Sequence, residues 1–236
     1  MRDSNRDLLL AAARLLRPLL EELVFVGGCV SGLLITDEAA PAVRATLDVD
    51  AIAAIASYHE YTIFAQRLRE LGFTEDSRAG APLCRWKHGA IVLDVMPLDP
   101  KILGFSNRWY KPAMQAAEHR TLEPSLRIRT VTAPLFLATK LEAFHGRGGD
   151  DCFASHDLED VLSVIDGRAE LLAEVRAAPN DLRAYLALEF RALIREPRFV
   201  DALAGHLLPD AASQSRIPIL LRRMEELAAP ENLQAY

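Results

Sequence analysis

Three aspartates on short apolar segments constrain this chain most: Asp48 and Asp50 in Leu47-Asp-Val-Asp-Ala51, and Asp94 inside Ala90-Ile-Val-Leu-Asp-Val-Met96. A carboxylate taken out of water is costly unless something cationic answers it. A fold that buries these segments must therefore bring a cation to them, and a divalent metal is the simplest one. Side chains alternate along a strand, so Asp48 and Asp50 fall on one face if Leu47 to Ala53 is extended.

The surrounding pattern supports an α/β reading of the first half. Residues 4 to 22 read as a Leu/Ala-rich helix divided near Pro18. Leu23 to Val26 reads as a short buried strand ending at Gly27-Gly28, a pair that permits close backbone approach. Residues 29 to 35 read as one or two helical turns, and 37 to 44 as a loop. Tyr58 to Leu71 has a helical repeat stopped by Gly72. A hairpin is expected from Leu83 to Trp86 and Ala90 to Met96 around Lys87-His-Gly89, with His88 solvated in its turn. Leu126 to Val131 reads as a basic edge strand.

Pro134 opens a helix running to about His145, and Ser155 caps another through Ile165. From Arg168 onward Leu/Ala-rich helical stretches alternate with breaks near Pro179, Pro197, Pro209 and Pro218. The expected fold is α+β, a mixed sheet with flanking helices over residues 1–131 followed by a helical domain over 132–236.

With 236 residues, 50% of them hydrophobic, the chain is long enough for one substantial core or two modest ones. No stretch is apolar for the roughly 20 residues of a membrane span, and the start lacks the layout of a secretory signal. Cys29, Cys84 and Cys152 are scattered without zinc spacing, which fits free thiols in the cytoplasm. A net charge of -6 argues against coating nucleic acid by global attraction. Yet between Arg108 and Arg147 seven Lys/Arg stand against three acids, a candidate basic face for phosphates.

Carboxylates bind Mg²⁺, and Mg²⁺ bridges phosphate oxygens, so a D-x-D pair with a third strand carboxylate suits phosphoryl or nucleotidyl transfer. Gly27, Gly28 and Ser31 would then meet the triphosphate at the turn, and Lys140 and Arg147 would neutralise it. Each part has a plainer alternative. Asp94 can pair with Arg85 or Lys87, Gly27-Gly28 can be a tight turn, Lys140 can snorkel from an apolar helix, and Arg147 can pair with Asp157. Ser31 and His156 suit capping roles. Asp99, outside the apolar run, is the weaker third acid.

Taken together, the motifs resemble the nucleotidyltransferase superfamily with the polymerase beta-like minimal fold, especially the abortive-infection type IV toxins. Gly27-Gly28 and Arg44-Ala-Thr-Leu-Asp-Val-Asp50 are similar to the family's glycine pair and Arg-x-Ser/Thr-x-Asp-x-Asp motif, with Asp94 at the third carboxylate. Lys140-Leu-Glu-Ala-Phe-His-Gly-Arg147 and His156-Asp-Leu-Glu-Asp-Val161 are similar to its later patterns, with His156 in place of a Lys or Arg and Val161 in place of a Leu. The resemblance spans roughly residues 20 to 165 in the right order.

The resemblance implies Mg²⁺-dependent transfer of a nucleoside monophosphate from a nucleoside triphosphate to an acceptor such as tRNA or protein, in a toxin paired with an antitoxin. Asp48, Asp50 and Asp94 would be the metal ligands. Lys140 would be catalytic, and Gly27, Gly28, Ser31, Arg44, Arg147 and Asp157 would serve the nucleotide site. The alternatives are a regulatory protein on the same fold and a metal phosphohydrolase.

Overall fold

The computed structural model describes residues 4–104, 107–146 and 151–229. The chain divides into two compact units, residues 1–32 with 44–132, and residues 33–43 with 133–236.

The first unit is built on a mixed seven-stranded sheet. Helix α1 (Ser4–Leu15) buries Leu9, Ala12 and Ala13, then a 3-10 turn containing Pro18 (Arg17–Glu22) leads into β1 (Leu23–Val26). A proline tolerated at the start of a helix but not within one accounts for that division. After a 3-10 turn at Gly28–Val30 and the short α2 (Ser31–Leu34), the chain returns as β2 (Val49–Ala53). Helix α3 (Tyr58–Glu70) starts at Ser57, whose Oγ accepts from the Glu60 amide, and it buries Phe64, Ala65 and Leu68. Next come β3 (Thr74–Glu75), β4 (Arg85–His88) and β5 (Ile91–Pro97), then α4 (Pro100–Leu103), α5 (Tyr110–Gln115), β6 (Glu118–Glu123) and β7 (Leu126–Thr130).

The sheet order is β3-β4-β5-β2-β1-β7-β6, with β2–β5 and β1–β7 parallel and the other pairs antiparallel. Its centre is apolar: Leu23, Val24, Phe25, Val49, Ala51, Ile52 and Leu93 are fully buried. Each large aliphatic or aromatic side chain so buried is worth about 1.5–3 kcal/mol.

Two sequence expectations change here. Strand β7 lies between β1 and β6, so it is an interior strand, and β6 forms the edge. His88 belongs to β4 opposite Ile91, and its ring packs on Phe73 at 5.3 Å, so it is half-buried in the sheet instead of solvated in a turn.

The second unit is helical. Helix α6 (Ala133–Gly146) is buried on nearly all sides, as a helix apolar around its whole circumference must be. Helices α7 (His156–Gly167), α8 (Leu171–Ala177) and α9 (Asn180–Arg195) pack on it, followed by α10 (Pro197–Ala202), α11 (Ala211–Gln214) and α12 (Ile217–Leu227). Ser155 caps α7 by accepting from the Leu158 amide. Pro218 sits in the first turn of α12, where a missing amide costs nothing.

Residues 33–43 are tied into this unit. The Thr36 and Asp37 amides both donate to the Gly167 carbonyl at 2.9 Å, and Arg168 Nη1 donates to the Leu34 carbonyl at 2.7 Å. A Cβ on Gly167 would lie 2.7 Å from Ile35 Cδ1, so a glycine at the end of α7 makes this approach possible. Among the described residues no helix is long and apolar enough to cross a membrane.

Candidate functional site

The sheet register assembles the site. Asp94 on β5 is the ladder partner of Asp50 on β2 and of Arg85 on β4, and Asp50 is the partner of Val26 on β1. Directly paired residues project to one face, so Arg85, Asp94 and Asp50 form a row across three strands, and Asp48 joins them two residues before Asp50. The row ends at the glycine turn. Gly27 has φ +69°, a left-handed conformation open to glycine at little cost, and a Cβ there would fall 1.9 Å from Asp50 Oδ2. The glycine and the aspartate are thus parts of one structural unit.

Arg85 supplies the cation for two of the acids. Its Nε and Nη2 donate to Asp94 Oδ1 and Oδ2 at 2.8 and 2.6 Å, and the same Nη2 reaches Asp48 Oδ2 at 3.0 Å. The fork-on-carboxylate geometry is the strong form of an ion pair. Hydrogen bonding to Asp94 pushes the Arg85 pKa above its ordinary value, with the charges of Asp94 and Asp48 adding to it. Lys87, the other candidate partner of Asp94, pairs instead with Asp76 at 3.0 Å. Cys84, buried beside this row, has its thiol pushed up to about 12, chiefly by burial and secondarily by the negative charge of Asp94. All three cysteines are buried free thiols.

The approach to Asp48 is held by Asn5, which sequence reading passed over, and by Thr46, the Ser/Thr position of the D-x-D motif. Asn5 of α1 is buried, its Nδ2 donating to the Arg44 carbonyl at 2.8 Å and to the Gly28 carbonyl at 3.4 Å, while its Oδ1 accepts from the Thr46 amide at 2.9 Å. Thr46 Oγ1 in turn donates to Asp48 Oδ1 at 2.9 Å. One asparagine therefore joins the glycine turn to the strap that carries the D-x-D pair. An Asn in a Leu/Ala-rich helix was the available signal, but its partners lie 23 and 39 positions away in sequence.

Other expected site residues sit elsewhere. Ser31 is fully buried and donates to the Gly28 carbonyl at 2.7 Å, so it closes the turn and does not offer its hydroxyl to a triphosphate. The Arg44 backbone carbonyl is what joins the Asn5 network. Asp99 caps α4, accepting from the Lys101 amide. In the second unit Lys140 Nζ lies 3.0 Å from Asp157 Oδ1 and 2.7 Å from Asp160 Oδ2, a buried cluster in which Asp160 had not been singled out. His156 is exposed beside Glu159, and Arg147 lies outside the described residues.

The basic stretch is not a single face. Arg129 donates to the backbone carbonyls of Glu21 and Met114, Arg120 pairs with Glu118, and Lys140 is buried. Among the described residues no group of three or more His, Cys, Asp or Glu is placed to hold a metal ion by protein ligands alone.

No family model and no curated protein matches the chain. Among solved structures it is similar to the crystal structure of an antigenic nucleotidyltransferase-like protein from Paracoccidioides brasiliensis, at 19% sequence identity and a TM-score of 0.46, over 86% of this chain and 93% of that one.

Proposed function

We propose that the chain is a nucleotidyltransferase, moving a nucleoside monophosphate from a nucleoside triphosphate to an acceptor hydroxyl with Mg²⁺ as cofactor. The packing of Gly27 against Asp50 carries this reading: Asp50 Oδ2 lies 1.9 Å from where a Cβ would stand, so only a glycine lets the carboxylate close on the turn. The donor set fits the ion, because Asp50 on β2 and Asp48 just before that strand offer hard carboxylate oxygens, and Mg²⁺ is commonly held by one or two carboxylates plus substrate phosphates. When bound, the ion neutralises triphosphate charge and polarises the phosphorus centre.

Asp48 and Asp50 would hold it, with Asp48 oriented by Thr46 and Arg85. Gly27 and Gly28 would let the triphosphate approach the backbone. The acceptor oxygen forms a bond to the α-phosphorus, the α–β bridging P–O bond breaks, pyrophosphate leaves, and the hydroxyl proton passes to a carboxylate of the cluster. Resemblance to the toxins makes transfer RNA or a protein the first acceptor to try, and an antitoxin the partner to seek.

Incubation with each α-labelled triphosphate, total RNA and total protein tests the reading, with an Asp48→Ala control. Mg²⁺-dependent label in a macromolecule, absent from the control, is the expected outcome. Release of phosphate without label transfer would point to a hydrolase, and no turnover with any triphosphate to a regulatory protein.

A further inference from the structure

Resting on that transferase reading, we infer that Arg85 is the resident second cation of the acidic row, so that the site takes one divalent ion, at Asp48 and Asp50, and Asp94 serves Arg85 instead of a metal. Both Asp94 oxygens are engaged by the guanidinium at 2.8 and 2.6 Å. The Nη2 that reaches Asp94 also reaches Asp48 at 3.0 Å, so the guanidinium bridges two carboxylates as a bridging ion would.

The arrangement is built into the sheet. Arg85 and Asp94 are ladder partners on adjacent antiparallel strands, which fixes the two side chains against one another before any ligand arrives. The Asp94 side chain is only 10% exposed, and a carboxylate stripped of its partner there would be left uncompensated. A guanidinium suits the post, being planar, bidentate and never deprotonated. Asp48 keeps capacity for that ion, since each of its oxygens accepts one hydrogen bond and carries two lone pairs.

The test counts Mn²⁺ ions bound to the full-length chain in the presence of a non-hydrolysable triphosphate analogue, by electron paramagnetic resonance and by calorimetry, with the analogue alone subtracted. The native chain is expected to bind one ion. Arg85→Met, which removes the charge and keeps much of the bulk, is expected to bind two, and Arg85→Lys to remain at one. Asp94→Asn keeps Arg85 and is expected to bind one, which holds the test open if Arg85→Met fails to fold by circular dichroism.

Two ions on the native chain, one on a folded Arg85→Met, or none on Asp94→Asn would each overturn the assignment. One ion on both the native chain and Arg85→Met would sink the role of Arg85 and leave the transferase reading standing. No ion on any of them would end both.

Discussion

Each unit holds a cluster of one basic side chain and at least two aspartates, and the two clusters differ in how they meet water. In the second unit Lys140, Asp157 and Asp160 have side chains 10%, 4% and 1% exposed, and all three come from the adjoining helices α6 and α7. In the first, Arg85 and Asp48 are 24% and 31% exposed, with Arg85 on β4, Asp94 on β5 and Asp48 just before β2. Breaking a cluster as buried as the one in the second unit leaves charges uncompensated. The more exposed one has a further aspartate, Asp50, packed on the glycine turn. On the function proposed above, the same chemistry would be structural in one place and would serve binding in the other.

Substitutions should split along that line. The largest effect on stability is expected from Lys140→Met, which strands two buried carboxylates and should cost about 3–5 kcal/mol in denaturant unfolding. A cost under about 1 kcal/mol would place this cluster with surface pairs and erase the contrast. Next is Gly27→Ala, where a positive φ and a Cβ 1.9 Å from Asp50 Oδ2 force the turn to move. Backbone strain of about 1–3 kcal/mol is expected, together with loss of triphosphate binding by calorimetry; unchanged binding would detach the turn from the site. The smallest stability effect belongs to Asp48→Asn. As one partner of a half-open pair it should cost about 1 kcal/mol or less, while triphosphate-dependent Mn²⁺ binding is lost. Retained Mn²⁺ binding there would show that the open cluster does not hold the ion.

Much of the first unit was legible from residue pattern. Leu23 to Val26 is β1 and Ser155 caps α7, because each depends on near neighbours, whereas β2 begins only at Val49, so Asp48 precedes the strand expected from Leu47. The hairpin was displaced by a residue or two, since β4 runs from Arg85 to His88 and the apolar run alone does not fix register. Strand β6 escaped notice because Glu-His-Arg-Thr-Leu-Glu shows no apolar alternation, a composition that an edge strand tolerates. At the site, the choice of Arg85 over Lys87 for Asp94 follows from cross-strand pairing, and the buried Asn5 network spans loops; neither is a local property. The basic stretch read as one face because charge counts ignore which guanidinium groups spend themselves on backbone carbonyls.

Residues 33–43 belong to the helical unit although they interrupt the sheet unit in sequence, and the bond from Thr36 to Glu170 spans 134 positions. During synthesis this segment emerges long before the helices that receive it, and the early strands on either side of it can pair while it waits. No single cut separates two self-sufficient halves: a fragment ending at residue 132 carries an orphaned strap, and one beginning at 133 lacks the backbone amides that meet Gly167. Proteolysis or truncation intended to isolate the helical part must therefore supply 33–43 as a separate peptide or by fusion.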